Sequence, residues 1–276
     1  MRIMTDTSSM LSPAPGEAEG IRVVPVSICV EGETFRDYVD ITAEELVERI
    51  ARGGVPTTSQ PAVGDMLEAF EESDEETLFF TVGDGLSGAY QTAEGARMLL
   101  SDPGRVRVID SRTLAGPLRY LARKSVRLAK LGHSIDEVVL SLQKSIDTSL
   151  SFVIPADFEF LKRSGRVTGV VARVGGALKL LPVLTQTEDR KRIRPAGVKR
   201  SWRAALELIC QRMVSLGVGE NHLITVCHTG TAQLAQEAIS HLHAVFPRTE
   251  TETSLLPPSL ITHGGPGCLV VQAILK

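Results

Sequence analysis

The sequence predicts an α/β protein of two domains: an N-terminal three-layer α/β/α domain built on a parallel sheet, and a C-terminal α+β domain with a mixed sheet. Two observations carry this. In the first half, short apolar runs of strand character alternate with helical patterns, as a parallel sheet covered on both faces requires. In the second half two strand-like runs follow each other with no helix between them, which calls for an antiparallel pair. At 276 residues the chain is long for one core and comfortable for two. The boundary is expected near residue 150, giving domains 1–150 and 151–276.

Residues 2–5 open the chain as a strand. Residues 23–30 read as a second, turning through Glu31-Gly32 into 34–39 as a hairpin. Between them, residues 12–20 are rich in Pro, Gly and Glu and read as a surface loop. Thr42 and Glu45 have capping-box spacing, and Leu46, Val47 and Ile50 give the following helix its apolar stripe. A further helix is marked by Met66, Leu67 and Phe70; Pro61 suits its first turn and Ser59 or Gln60 its cap. Then come a strand at 77–82, a helix at 89–100, a strand at 106–109, a helix at 114–131, and a last helix opened by Ser134 and Glu137. In the second half, residues 150–154, 178–185, 193–198 and 223–227 read as strands, the middle two paired through the charged turn 188–192. Residues 158–166 resemble a helix ended by Gly165 beside a basic turn, and 201–216 and 231–246 are helical.

Composition narrows the function classes. Apolar residues make up 43%, charged residues 23%, and the formal net charge is −3, values of an ordinary globular protein and not of a basic nucleic-acid binder. Cys29, Cys210, Cys227 and Cys268 are scattered, so buried, reduced thiols are expected. No apolar run reaches the roughly 18 residues of a membrane span, and the first residues lack a secretory core, so a cytoplasmic, non-membrane-spanning protein is expected.

Three polar clusters share one design, small hydroxyl residues beside Gly or Pro between apolar runs. They are Thr57-Thr58-Ser59-Gln60-Pro61, Gly85-Leu86-Ser87-Gly88-Ala89-Tyr90-Gln91 and Thr262-His263-Gly264-Gly265-Pro266-Gly267. Residues that stop regular structure while offering uncharged hydrogen bonds suit loops that grip an anionic group. Ligands of parallel sheets bind beyond the carboxyl ends of the strands, where Asp6, residues 83–87 and Asp110-Ser111 are expected. No cluster supplies a strong base or a metal set, so the first reading is a binding site without catalysis.

Other readings stand beside it. The order Ser87, Asp110, His263 is that of α/β-hydrolases, which makes a serine esterase the alternative; the nucleophile elbow G-x-S-x-G, however, meets Ala89 in its last position. The segment at Thr57 serves equally as a helix cap. His263 is either structural or beside a ligand that the glycine-rich backbone approaches closely. His241 and His243 diverge on one helix and no other histidine has partner spacing, so no metal cofactor is expected. Arg190, Lys191, Arg192, Arg194, Lys199, Arg200 and Arg203 form a basic cluster, read as a solvated hairpin or as a phosphate-facing or partner-docking patch. It lacks the interleaved aromatics of a nucleic-acid platform, so no nucleic acid is expected as partner.

Taken in order, these segments resemble the DegV family of bacterial fatty-acid-binding proteins over essentially the whole chain. The matching pieces are Ile3-Met4-Thr5-Asp6-Thr7-Ser8, Val24-Pro25, Thr58-Ser59-Gln60-Pro61, Leu86-Ser87-Gly88-Ala89-Tyr90-Gln91 and Val108-Ile109-Asp110-Ser111. They continue with Phe160-Leu161-Lys162-Arg163-Ser164-Gly165-Arg166-Val167, Leu181-Pro182-Val183-Leu184 and His263-Gly264-Gly265-Pro266-Gly267. The resemblance implies a long-chain fatty acid held between the domains, its carboxylate on Thr58 and Ser87, and no other cofactor. Ser59, Gly88 and His263 are implied near the head group, and the family's Arg leaves its counterpart open between Lys199 and Arg200. It implies a partner too: a dihydroxyacetone-kinase-like fatty acid kinase that phosphorylates the presented carboxylate. Departures are Ala89 for Thr, Ser164 for Gly, and Ala115-Gly116-Pro117-Leu118 for a more glycine-rich stretch. Burying about fourteen methylenes yields a gross gain near 11 kcal/mol at roughly 0.8 each, so the tail should dominate affinity and the hydroxyls should set orientation. Residues 177–184 and Leu260-Ile261 are the apolar stretches expected to supply a wall.

Overall fold

The computed structural model describes residues 1–168 and 180–276. They form two units: Met1–Asp147 with Pro257–Ser259, and Thr148–Leu256 with Leu260–Lys276. The strands of the first unit are β1 (Arg2–Asp6), β2 (Ile21–Val24), β3 (Ser27–Val30), β4 (Glu33–Arg36), β5 (Thr57–Ser59), β6 (Thr77–Thr81) and β7 (Val106–Asp110). Its helices are α1 (Pro13–Ala18), α2 (Ala43–Ala51), α3 (Val63–Glu71), α4 (Ala89–Arg97), α5 (Ala115–Lys130) and α6 (Ile135–Thr148).

The main sheet is parallel, in the order β2-β1-β6-β7. Strand alternation sorts its side chains into two faces. Met4, Phe79 and Val108 are register partners and pack with Met66, Phe70 and Ala93 of α3 and α4. Phe70 meets Phe79 edge-on at 5.6 Å, and burying each ring contributes about 1.5–3 kcal/mol. Ile3 and Leu78 point the other way, and α5 packs on β1, β2 and β6 with Leu118 and Leu121 fully buried. The α/β/α layering follows. Locally, Thr42 and Glu45 do form the capping box of α2.

Four expectations are corrected here. Residues 23–30 are not one strand: Pro25 has no N–H to donate, and the N–H of Val26 goes to Thr7 Oγ1 at 3.0 Å. The chain therefore leaves the main sheet, and β3 enters a separate antiparallel sheet in the order β4-β3-β5. The second arm of the hairpin stops at Arg36, where Asp37 and a left-handed Tyr38 (φ +65°) turn the chain. Residues 12–20 hold the short helix α1, with Pro13 at its first position. Thr57–Ser59 is a strand and not a cap; α3 begins after Ala62, so neither Ser59 nor Gln60 caps it.

The second unit contains β8 (Leu150–Ile154), β9 (Leu181–Gln186), β10 (Ile193–Lys199), β11 (His222–His228), β12 (Glu250–Leu255) and β13 (Leu269–Leu275). They form one sheet in the order β10-β9-β8-β13-β11-β12, antiparallel except for the β11–β12 pair, so the sheet is mixed. The helices are α7 (Phe158–Ser164), α8 (Trp202–Ser215), α9 (Ala232–Val245) and α10 (Pro258–Gly264), whose first two residues count with the first unit. Phe152, Val183, Ile224 and Val271 make a core with Ile209 of α8 and Leu242 of α9. The strand expected at 178–185 runs over Leu181–Gln186; Leu178, like residues 177–179 of the expected apolar wall, lies outside the described residues. Gly165 ends α7 at φ +70°, as the sequence suggests. No helix among the described residues is long and apolar enough to cross a membrane. All four cysteines are free thiols, but Cys29 is exposed on β3 and not buried as expected.

Candidate functional site

Carboxylates knit together the loops at the carboxyl ends of β1, β6 and β7. Asp6 is fully buried; its Oδ1 accepts the N–H of Ser8 at 2.8 Å and its Oδ2 that of Val82 at 3.1 Å. Burial raises its pKa against the pull of those bonds. Asp110 Oδ1 accepts the N–H groups of Asp84 and Arg112, both at 2.9 Å. Gly83 approaches the Arg112 backbone so closely that a Cβ there would lie 3.1 Å from a carbonyl carbon. These bonds hold the loop that carries Ser87.

Ser87 follows Gly85, which takes φ +88°. Its hydroxyl accepts the N–H of Ala89 at 3.2 Å, satisfying one of the open donors where α4 starts at a glycine with no side chain to cap. A hydroxyl that accepts one bond still has a proton to donate, which is what a carboxylate needs. Thr58 pairs with Ile28 in the β3–β5 ladder. Directly opposed residues share a face, and Ile28 is fully buried, so the half-buried Thr58 points inward while Thr57 and Ser59 are exposed.

The two hydroxyl segments meet at one point. The Gln60 amide lies over Gly88, 3.2–3.3 Å from where a Cβ would be, so position 88 has little room for a side chain. The sequence singles out both segments, but the use of Gln60 against Gly88 has no local signal.

In the second unit, His263 sits in the last turn of α10. Burial, reinforced by the nearby Arg166 cation, pushes its pKa down to about 4, so the imidazole is neutral at pH 7. The following glycines have another explanation than ligand approach. Gly265 (φ +74°) lies against the Phe160 ring, 2.6 Å from a hypothetical Cβ, and Gly267 (φ +78°) lies against Ala156 at 2.8 Å. That loop is tight because the protein itself presses on it. Lys199 ends β10 opposite Leu181 and is partly buried, while Arg200 is exposed just before Ser201, whose hydroxyl caps α8. Two other members of the basic cluster are engaged: Arg190 donates to Ser149 Oγ at 2.8 Å, and Arg203 pairs with Glu207 at 3.2 Å.

Little here makes a hydrolase. The elbow serine of that fold sits on a strained turn, yet Ser87 is absent from the residues with positive φ, and Asp110 is occupied with the Asp84 and Arg112 amides. Ala115, the departure at the start of α5, is fully buried and holds φ +55°, a conformation easier for glycine. Among the described residues no group of three or more His, Cys, Asp or Glu could hold a metal ion.

Comparison with known proteins adds a frame. The model of the DegV family, described as one of uncharacterised proteins, matches residues 1–276. A DegV domain-containing protein of Staphylococcus aureus (strain N315) is 28% identical over 278 residues, 99% of this chain and 98% of that protein. A structure on fatty acid binding of a DegV family protein from Thermus thermophilus is 30% identical, with a TM-score of 0.86 and all of both chains covered. The fold is shared with DegV, a fatty acid binding protein from Bacillus subtilis, at 24% identity and TM-score 0.86, covering 100% of this chain and 99% of that one.

Proposed function

The chain belongs to the DegV family, and on that premise we propose that it binds a long-chain fatty acid, holds its carboxylate on Thr58 and Ser87, and presents it to a separate dihydroxyacetone-kinase-like fatty acid kinase for acyl-phosphate formation. The ligand class is supported by what the Thermus thermophilus and Bacillus subtilis relatives bind. The observation that carries the head-group assignment is the meeting of the two hydroxyl segments, with Gln60 lying over Gly88. Thr58 points inward from one of them, and Ser87 keeps a proton to donate on the other.

The chemistry suits a carrier. Two neutral hydroxyls stabilise a carboxylate without attacking it, and each such bond contributes about 1.5–3 kcal/mol before desolvation is subtracted. His263 is neutral at pH 7 and brings no charge. Ser59 and Gly88 flank the pair; Lys199 and Arg200 remain the cations proposed to face the head group or the kinase. In this reading the protein performs no turnover, works in the cytoplasm and takes no cofactor beyond its lipid.

The test is palmitate titration of delipidated wild type and of Thr58→Ala/Ser87→Ala, with lipid extracted from the native protein identified by mass spectrometry. The double variant should bind about 10- to 100-fold more weakly with unchanged urea stability, and should lose acyl-phosphate formation with the kinase. Wild-type protein that neither carries nor takes up fatty acid refutes the reading; wild-type affinity in the double variant moves the carboxylate elsewhere.

A further inference from the structure

Helix α10 begins badly. Pro258 opens it and Pro257 precedes it, so neither residue has an N–H and neither has a side chain able to cap. The first amide that needs an acceptor is that of Ser259. It donates to Asp37 Oδ1 at 3.4 Å, across 222 residues of chain. Both residues are buried, at 0% and 2% exposure. The Ser259 and Thr7 side chains also lie within reach of this carboxyl.

The turn that presents Asp37 is itself held. Its N–H donates to Val26 O at 2.9 Å, and the next residue, Tyr38, takes φ +65°. Three groups act on the carboxyl besides burial, which is the largest influence and lifts its pKa to about 6. Bonds to Ser259 and Thr7 pull the pKa down, and the Asp6 carboxylate pushes it up. A buried carboxylate is costly, and a helix start, with its open amides and positive dipole end, is a place where that cost is offset.

We propose that Asp37 is a positioning residue: it supplies the cap that α10 cannot make for itself and so holds in place the helix whose last turn carries His263. Its consequence for ligand binding rests on the fatty-acid reading above; its structural content does not.

The test uses the full-length protein and two observables, amide-exchange protection over residues 258–264 and the titration of the His263 imidazole. In Asp37→Ala, protection at Ser259 and the turn after it should fall at least tenfold, and the His263 pKa should climb from about 4 toward its ordinary 6.5. Asp37→Asn keeps one acceptor oxygen; it should restore most protection while removing the change that the wild type shows as pH crosses about 6. Unchanged protection and titration in folded Asp37→Ala overturn the proposal. Should that variant not fold, Asp37→Asn decides alone: a flat pH profile supports the proposal and a wild-type profile overturns it. Palmitate titration of the same samples separates the two claims, because failure of the wild type to bind lipid sinks the functional reading and leaves the exchange result standing.

Discussion

The glycine of the first unit's hydroxyl loop and those of the second unit's Gly264-Gly265-Pro266-Gly267 loop look alike in sequence and are held for different reasons. Gly88 has an ordinary φ of −79° and is crowded only by the far end of an exposed, flexible side chain, Gln60. Gly265 is left-handed and pressed against the ring of Phe160, which is part of the packed interior. One glycine leaves room for a movable polar group at the candidate site, and the other is demanded by the fold. A glycine-rich stretch therefore does not by itself mark ligand approach.

The largest expected effect breaks the fold side of that contrast. Gly265→Ala adds the cost of a left-handed alanine, about 1–2 kcal/mol, to overpacking of about 1–3 kcal/mol against Phe160, so urea unfolding should show a loss of about 3 kcal/mol. A loss under 1 kcal/mol would mean that the ring moves aside easily.

Next is the response to acid, where burial acts with opposite sign in the two units. Asp37 has its folded pKa raised from 3.8 to about 6, so the folded state binds the proton more tightly. Its favourable contribution is present at low pH and is lost, by about 3 kcal/mol, as pH rises through that window. His263 has its folded pKa lowered from 6.5 to about 4, so stability is lost as pH falls through 6.5 toward 4. Relative to wild type, Asp37→Asn should gain stability from pH 4 to 7, whereas His263→Gln should gain as pH falls. Urea titrations across that range read both, and slopes of the same sign would refute the assignment.

The smallest effect on stability sharpens the ligand side. Gly88→Ala should change unfolding free energy by no more than about 0.5 kcal/mol, because Gln60 can swing away, yet it should weaken palmitate binding by displacing that amide. Affinity equal to wild type would remove Gln60 from the site.

What could be read from the sequence was what depends on near neighbours. The Thr42–Glu45 capping box, the Gly165 helix end and the β9–β10 hairpin all rest on residues a few positions apart. Misreadings arose where a distant partner decides. Thr57–Ser59 resembles a cap until β3 lies beside it, and residues 23–30 resemble one strand until the Val26 amide is drawn to Thr7. Glu250–Leu255 is polar along its length and gives no strand pattern, because it is the edge of its sheet. Thr58 and Ser87 were legible as hydroxyls beside breakers. The meeting of Gln60 with Gly88, and the bond from Ser259 to Asp37, were not, since both come from packing between segments far apart in the chain.

The bond from Ser259 back to Asp37 also has a bearing on synthesis. A ribosome adding roughly 5–20 residues per second needs on the order of ten seconds or more to cover the 222 positions between them. Throughout that interval the nascent amino-terminal half exists without its final plug, Pro257–Ser259. A gene cut at residue 147 would make that unfinished state permanent, so expressing the halves separately would yield a first half lacking a piece of its own interior.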